Sequence, residues 1–222
     1  MEGRVSLAVL ISGGGTTLKN LIDHIKAGTC RAQIVCVIAS REGIKGLEYP
    51  KQEGIPWFVV PRKKFKSARQ FSDAITEILH RFNPELIVFG GFLSLYLFPP
   101  EYRGRIINIH PALLPAFGGK GMYGDRVHEA VLAASCKVSG CSVHFVDEVY
   151  DHGPIIAQRV VPVLPDDTVE SLRERVQTEE RKLYPEVVNW FADGRVRLGE
   201  DGRVRISGRQ PPIASTPRSV PS

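Results

Sequence analysis

Two side chains near the middle of the chain have the types and spacing to act together. They are Asn108 and His110, in the stretch RIINIHPALLPAF from Arg105 to Phe117. Residues two apart on a strand share a face. An apolar, β-branched run that reaches Asn108 and His110 just before Pro111 therefore presents an amide and an imidazole together at its carboxyl end. In open α/β sheets that edge is where ligands bind. An amide donor beside an imidazole can stabilise an oxyanion and move a proton. The spacing suits a structural histidine equally well, and residue type alone leaves both readings open.

A second group of polar residues follows in VHFVDEVYDHGPI, where Asp147, Glu148 and Asp151 leave a strand and enter a turn with Gly153-Pro154. An aspartate set against a histidine raises the imidazole pKa and fixes its orientation. A metal site made from His144, Asp147, Asp151 and His152 is the competing arrangement, but these four show no recognised ligand spacing. Nearer the N-terminus, LISGGGTTL reads as a strand, a glycine turn and a helix. The turn from Ser12 to Thr17 then exposes backbone N–H groups at a positive helix end, a natural phosphate cradle, although a merely tight βα turn reads the same way. It is not a dinucleotide fingerprint, because the third glycine would fall on Leu18 and the second strand ends in Ala39-Ser40 rather than an acid. No Gly-Lys-Ser/Thr follows to make it a P-loop. Glu180 is a further candidate: it stands where the apolar stripe Val169, Leu172, Val176, Leu183, Tyr184, Val187 expects an apolar residue. A carboxylate turned inward needs a partner, internal or a polar ligand, and a glutamate snorkelling out at the edge of the stripe fits the spacing equally well.

The elements that must hold these residues follow from the pattern. Buried strands are expected at Val5 to Ile11, Gln33 to Ser40, Trp57 to Val60, Glu85 to Gly91 and across RIINIH, because their apolar runs are continuous. Helices are expected at Thr16 to Ala27, Ile44 to Gly54, Ser67 to Phe82 and Arg126 to Ala134. A long helix from Thr168 to Ala192 is expected to kink near Arg181, since Pro185 cannot bond its carbonyl. Cys141 to Asp147 and Ile155 to Val163 read as an antiparallel pair, and a hairpin turns at Asp201-Gly202. The alternation calls for one α/β domain over residues 1–207, with a mainly parallel twisted sheet flanked by helices and an antiparallel portion in the C-terminal half. Residues 208–222, rich in Pro and Ser, read as a disordered tail.

Composition narrows the function classes. The 222 residues are 43% hydrophobic and 24% charged, ordinary for a globular protein. The net charge of +5 is mostly local: residues 202–222 hold Arg203, Arg205, Arg209 and Arg218 and no acid, leaving +1 for the rest. A basic body is therefore not indicated, although local patches could still bind phosphate. The four cysteines form no C-x-x-C pair and read as reduced, buried thiols. No run reaches the ~20 apolar residues of a membrane span, and a cytoplasmic protein is expected.

LISGGGTTL, GGFLSLY, NIHPALLPAF, SVHFVDEVYDHGPIIAQ and RVQTEERKLYP…WFADGRV together resemble the phosphoribosylglycinamide formyltransferases, from about residue 5 to residue 205. The resemblance implies a Rossmann-like fold. It further implies formyl transfer from 10-formyltetrahydrofolate to the amine of glycinamide ribonucleotide in purine synthesis, without metal or nicotinamide. It assigns catalysis to Asn108, His110 and Asp151, with a charged His110 kept so by Asp151. Gly15, Thr16 and Thr17 would hold the phosphate and Glu180 the ribose or glycinamide end. The backbone of Leu93, Ser94, Leu95 and Tyr96 would read the pterin, with Asn108 also touching the folate. The implied partners are small molecules, with no nucleic acid or membrane, and a homodimer is compatible with it.

Four features depart from the family pattern. The loop has Thr-Thr where Ser-Asn is common, and Ser94 stands where an Arg often follows. An arginine assigned to folate falls on Ala68, with Arg69 adjacent. The 118–128 insert adds Lys120 and His128. A 10-formyltetrahydrofolate hydrolase on the same fold is the nearest alternative.

Overall fold

The continuous apolar runs become parallel strands because both of their faces are covered. In the computed structural model, which describes residues 3–208, β1 (Val5–Ile11), β2 (Ala32–Ala39), β3 (Trp57–Val59), β4 (Leu86–Phe89) and β5 (Ile106–His110) pair in parallel. β6 (Val138–Phe145) and β7 (Ile155–Pro162) follow antiparallel. The order is β3-β2-β1-β4-β5-β6-β7, the mainly parallel sheet with an antiparallel C-terminal portion that the sequence predicts.

The helices are α1 (Thr16–Lys26), α2 (Glu48–Gln52), α3 (Ala68–Phe82), α4 (Asp125–Ala133) and α5 (Val169–Ala192). On one face Leu18 and Leu21 of α1, Val131 of α4 and Leu172, Val176 and Leu183 of α5 belong to a core with Leu7, Val9, Val88 and Val143. On the other, Phe71, Ile75 and Leu79 of α3 pack with Ala8, Leu10, Ile38 and Ile87. Alternate residues of β1 therefore feed two cores, and neither face can be polar. The Tyr184 hydroxyl ties α5 to the sheet centre, donating towards the carbonyls of Phe89 and Ile107, each at 3.0 Å.

Strand order reverses between β1 and β4. The chain leaves β1 for β2 on one side and comes back to β4 on the other, so the loops after these two strands part and open a crevice. The glycine loop stands on one lip and Gly90-Gly91 on the other.

Some expected elements differ. Residues 44–54 form a 3₁₀ turn at Lys45–Leu47 and then the short α2, rather than one helix. The turn is drawn against the glycine loop, where the Gly46 N–H donates to the Gly13 carbonyl at 3.2 Å. α5 spans Val169–Ala192 as one helix with Pro185 inside it, and the Arg181 carbonyl that the proline cannot bond accepts from Asn20 Nδ2 at 3.0 Å. β6 starts at Val138, earlier than its alternation suggests, and is buried from Ser139 to Phe145 between β5 and β7. The hairpin expected around Asp201-Gly202 does form, from β8 (Val196–Leu198) and β9 (Val204–Ile206), as a sheet of its own. Apart from Gly208, the tail expected at 208–222 lies outside the described residues. No helix among the described residues is long and apolar enough to cross a membrane.

Candidate active site

Parallel pairing of β5 with β4 carries Asn108 and His110 to the carboxyl edge of the sheet. The antiparallel partner β6 sets His144 opposite Asn108 and Ser142 opposite His110. Beyond β5 the chain turns through Pro111 to Phe117, and Ser142 pins it. Its hydroxyl donates to the Ala112 carbonyl at 2.7 Å and accepts from the Leu114 N–H at 3.0 Å. Phe117 has φ 55; its carbonyl accepts from His110 Nε2 at 2.8 Å. That bond fixes the proton on Nε2 and leaves Nδ1 as the nitrogen free to exchange one.

Asp151 lies between the polar side chains. Its Oδ2 is 3.5 Å from His110 Nδ1 and accepts the Gly119 N–H at 3.0 Å. Its Oδ1 accepts from Asn108 Nδ2 at 3.4 Å and is 3.7 Å from His144 Nε2. The turn is shaped for this. Val149 N–H donates to Asp147 Oδ1, Asp151 takes φ 55, and Gly153 comes so close that a Cβ there would meet the Phe145 carbonyl oxygen at 1.9 Å. Burial pushes the Asp151 carboxyl up, but His144, His110 and the Gly119 N–H outweigh it and hold the pKa below its ordinary value.

His110 departs from expectation. With 3% of its surface exposed, its pKa is lowered: burial is the largest cause and outweighs the opposing pull of Asp151 and the Phe117 carbonyl. The resting imidazole is therefore neutral at neutral pH, with Asp151 ready to support a proton on Nδ1, rather than permanently charged. Asn108 also differs from a free donor. Its amide nitrogen already faces His144 Nε2 at 3.2 Å as well as Asp151.

His144 is the residue whose role the sequence hid. Its Nδ1 donates to the Phe145 carbonyl at 2.8 Å, and its Nε2 faces both Asn108 Nδ2 at 3.2 Å and Asp151 Oδ1 at 3.7 Å. Antiparallel register opposite Asn108 was the available signal, and it depended on knowing the pairing. The competing metal set divides: His144 and Asp151 join this network, whereas Asp147 and His152 pair with each other at 2.8 Å on the surface.

Asn108, His110 and Asp151 share a cleft of ≈540 Å³ with Thr16, Thr17, Leu93, Lys120 and Glu180. The α1 N-terminus opens into it without a side-chain cap or an acid in the first turn. Gly15 precedes that helix at φ 71, and a Cβ there would lie 2.7 Å from Gly46 Cα. Gly15→Ala is expected to destabilise the fold by at least about 1–2 kcal/mol from backbone strain alone. Thermal melts check this; an unchanged midpoint would refute it. Glu180 sits across from Thr16 and Thr17, and burial pushes its carboxyl up to about 7 against a small opposing effect of Arg181. Glu179, not singled out in the sequence, is more buried, and pairs with Lys182 at 2.7 Å.

A smaller pocket beside the cleft is lined by Ser94, Leu95, Tyr96, Asn108, His144 and Asp151. Tyr96 is buried there and its hydroxyl bonds Thr76 Oγ1 at 2.8 Å, so only its backbone remains for a ligand. The Leu93 N–H already donates to Ser12 Oγ at 2.9 Å, which Ser40 holds in turn at 2.6 Å. Arg69 Nη1 donates to the Leu97 carbonyl at 3.3 Å and braces the far end of this segment.

Residues 5–188 match the family described as formyl transferase. The chain is 39% identical over 214 residues to the chloroplastic phosphoribosylglycinamide formyltransferase of Arabidopsis thaliana, covering 94% of this chain and 73% of that protein. It is 41% identical over 203 residues to the trifunctional purine biosynthetic protein adenosine-3 of Gallus gallus, of which it spans 20%. The phosphoribosylglycinamide formyltransferase structure from Coxiella burnetii superposes with a TM-score of 0.85 at 37% identity, covering 93% of this chain and 95% of that one. A formyltetrahydrofolate deformylase from Pseudomonas syringae shares the fold at a TM-score of 0.79 but only 22% identity, with 66% of its chain covered. With the match running from β1 into α5, the chain belongs to the formyl transferase family.

Proposed function

We propose that the chain transfers a formyl group from 10-formyltetrahydrofolate to the amine of N1-(5-phospho-D-ribosyl)glycinamide, a step in purine synthesis. The observation that carries this reading is the single cleft shared by the uncapped α1 N-terminus and the Asn108–His110–Asp151 group. A phosphate suits the N–H groups of Gly15, Thr16 and Thr17. Glu180 suits the hydroxyls or glycinamide end of the same molecule. The backbone of Leu93 to Tyr96, with Asn108, suits the pterin.

The chemistry fits these groups. The amine lone pair forms a bond to the formyl carbon and the carbonyl pair moves onto oxygen. That oxyanion takes an Asn108 N–H released from its long contact with Asp151. A proton gained by His110 at Nδ1 sits against Asp151. The proton lost by the amine passes through His110 to the folate nitrogen as its bond to carbon breaks. Positioned acid–base groups contribute about 10²–10⁴-fold each, an oxyanion donor about 10²–10³-fold, and the remainder comes from holding two substrates together.

The hydrolase is the alternative, since the same side chains could deliver the formyl group to water. The phosphate-type loop and Glu180 favour the ribonucleotide. Tetrahydrofolate release is expected only when glycinamide ribonucleotide is present; equal turnover without it would overturn the reading.

A further inference from the structure

His128 lies on α4 with 2% of its surface exposed, yet it lines the cleft beside His110, Arg173, Gln177 and Glu180. Its Nδ1 is sealed from solvent and has no hydrogen-bond partner among the described residues. Nε2 has no protein partner among them either, and it is the nitrogen left open to the cleft. Nearly all buried polar groups in native proteins are paired; with Nδ1 sealed, Nε2 is the one ring nitrogen for which a molecule in the cleft can supply the partner that the described residues do not.

The surroundings fix what that partner is. Burial lowers the His128 pKa; Asp125 opposes the shift, and Arg173 and His110 add to it. Asp125 is itself engaged by Arg173 at 2.8 Å. The ring is therefore neutral at neutral pH, with one N–H and one bare nitrogen. A sealed nitrogen without a partner is better tolerated as an acceptor than as an orphaned N–H. The proton then sits on Nε2 and faces the cleft as an uncharged donor.

We propose that His128 is a substrate-binding residue whose Nε2–H donates to a neutral oxygen of the ribonucleotide, its amide carbonyl or a ribose oxygen. This rests on assigning the ribonucleotide to the cleft between Thr16–Thr17 and Glu180. The side chain recognises the uncharged middle of that molecule, a part that neither the glycine loop nor the His110 group engages.

The test compares His128→Gln, whose amide donates from the Nε2 position, with His128→Asn, whose shorter amide does not. His128→Asn is expected to raise the KM for glycinamide ribonucleotide roughly tenfold, with the KM for 10-formyltetrahydrofolate unchanged. His128→Gln is expected to restore most of that loss. An unchanged ribonucleotide KM in His128→Asn, equal effects on both substrates, or no recovery in His128→Gln would each overturn the proposal. Glu180→Gln is measured alongside. If it alone raises the ribonucleotide KM, His128 is refuted and the cleft assignment stands. If neither variant raises it, both fall.

Discussion

Asp151→Asn is expected to lower turnover by about 10²–10⁴-fold while the protein stays folded. The substitution is a clean one. Asp151 holds φ 55, a left-handed conformation that Asn adopts more readily than other side chains. The amide oxygen of Asn can also still accept the Gly119 N–H. What disappears is a negative charge within 3.5 Å of His110 Nδ1 and 3.7 Å of His144 Nε2. Burial already lowers the His110 pKa, and Asp151 is the largest force opposing it. Without that charge the imidazole gains its proton only at lower pH, so any residual activity should shift in that direction. Turnover at saturation in both substrates, with melting curves as the folding control, decides the matter. A rate within tenfold of the parent would remove Asp151 from the mechanism.

The parts legible in the sequence were those set by local pattern. Continuous apolar runs gave β1, β2, β4 and most of β5, because a strand covered on both faces is mainly apolar and carries its polar residues towards its ends. The period of two gave the shared face of Asn108 and His110. Legibility failed where a distant segment decides the local structure. Residues 44–54 carry helical spacing, yet the approach of Gly46 to Gly13 and Gly15 bends them into a turn and a short helix. His144 looks like one residue of an alternating strand until antiparallel register sets it opposite Asn108.

Charge states were the least legible of all. Placing an aspartate near a histidine raises an imidazole pKa in water-like surroundings, and the resemblance carried that expectation to His110. The fold buries the ring enough to reverse the sign. His128 escaped for a related reason: on α4 its spacing marks only a helix face, and the missing hydrogen-bond partner is visible only in three dimensions.

Glu180 allows the inward carboxylate to be tested as a balance between stability and binding. Glu180→Gln is expected to stabilise the free protein at about pH 8 by on the order of 1–3 kcal/mol. Burial raises this carboxyl to about 7 in the folded state, far above its ordinary value of 4.5. Between those values the folded chain holds a proton that the unfolded chain has lost. Stability therefore falls as pH rises through that window and stays lower above it. Glutamine has no such dependence, so the gain in melting temperature should be present at about pH 8 and vanish near pH 4.5. A gain independent of pH, or none at pH 8, would refute the argument. The same change removes a charged acceptor, and the KM for the ribonucleotide should rise by about 10–100-fold. Hydroxyl donors on the bound molecule favour the ionised carboxylate, so near pH 7 binding should expel a proton from Glu180. Calorimetry in buffers of different ionisation enthalpy reads that proton directly. Its disappearance in Glu180→Gln would tie the release to this carboxyl.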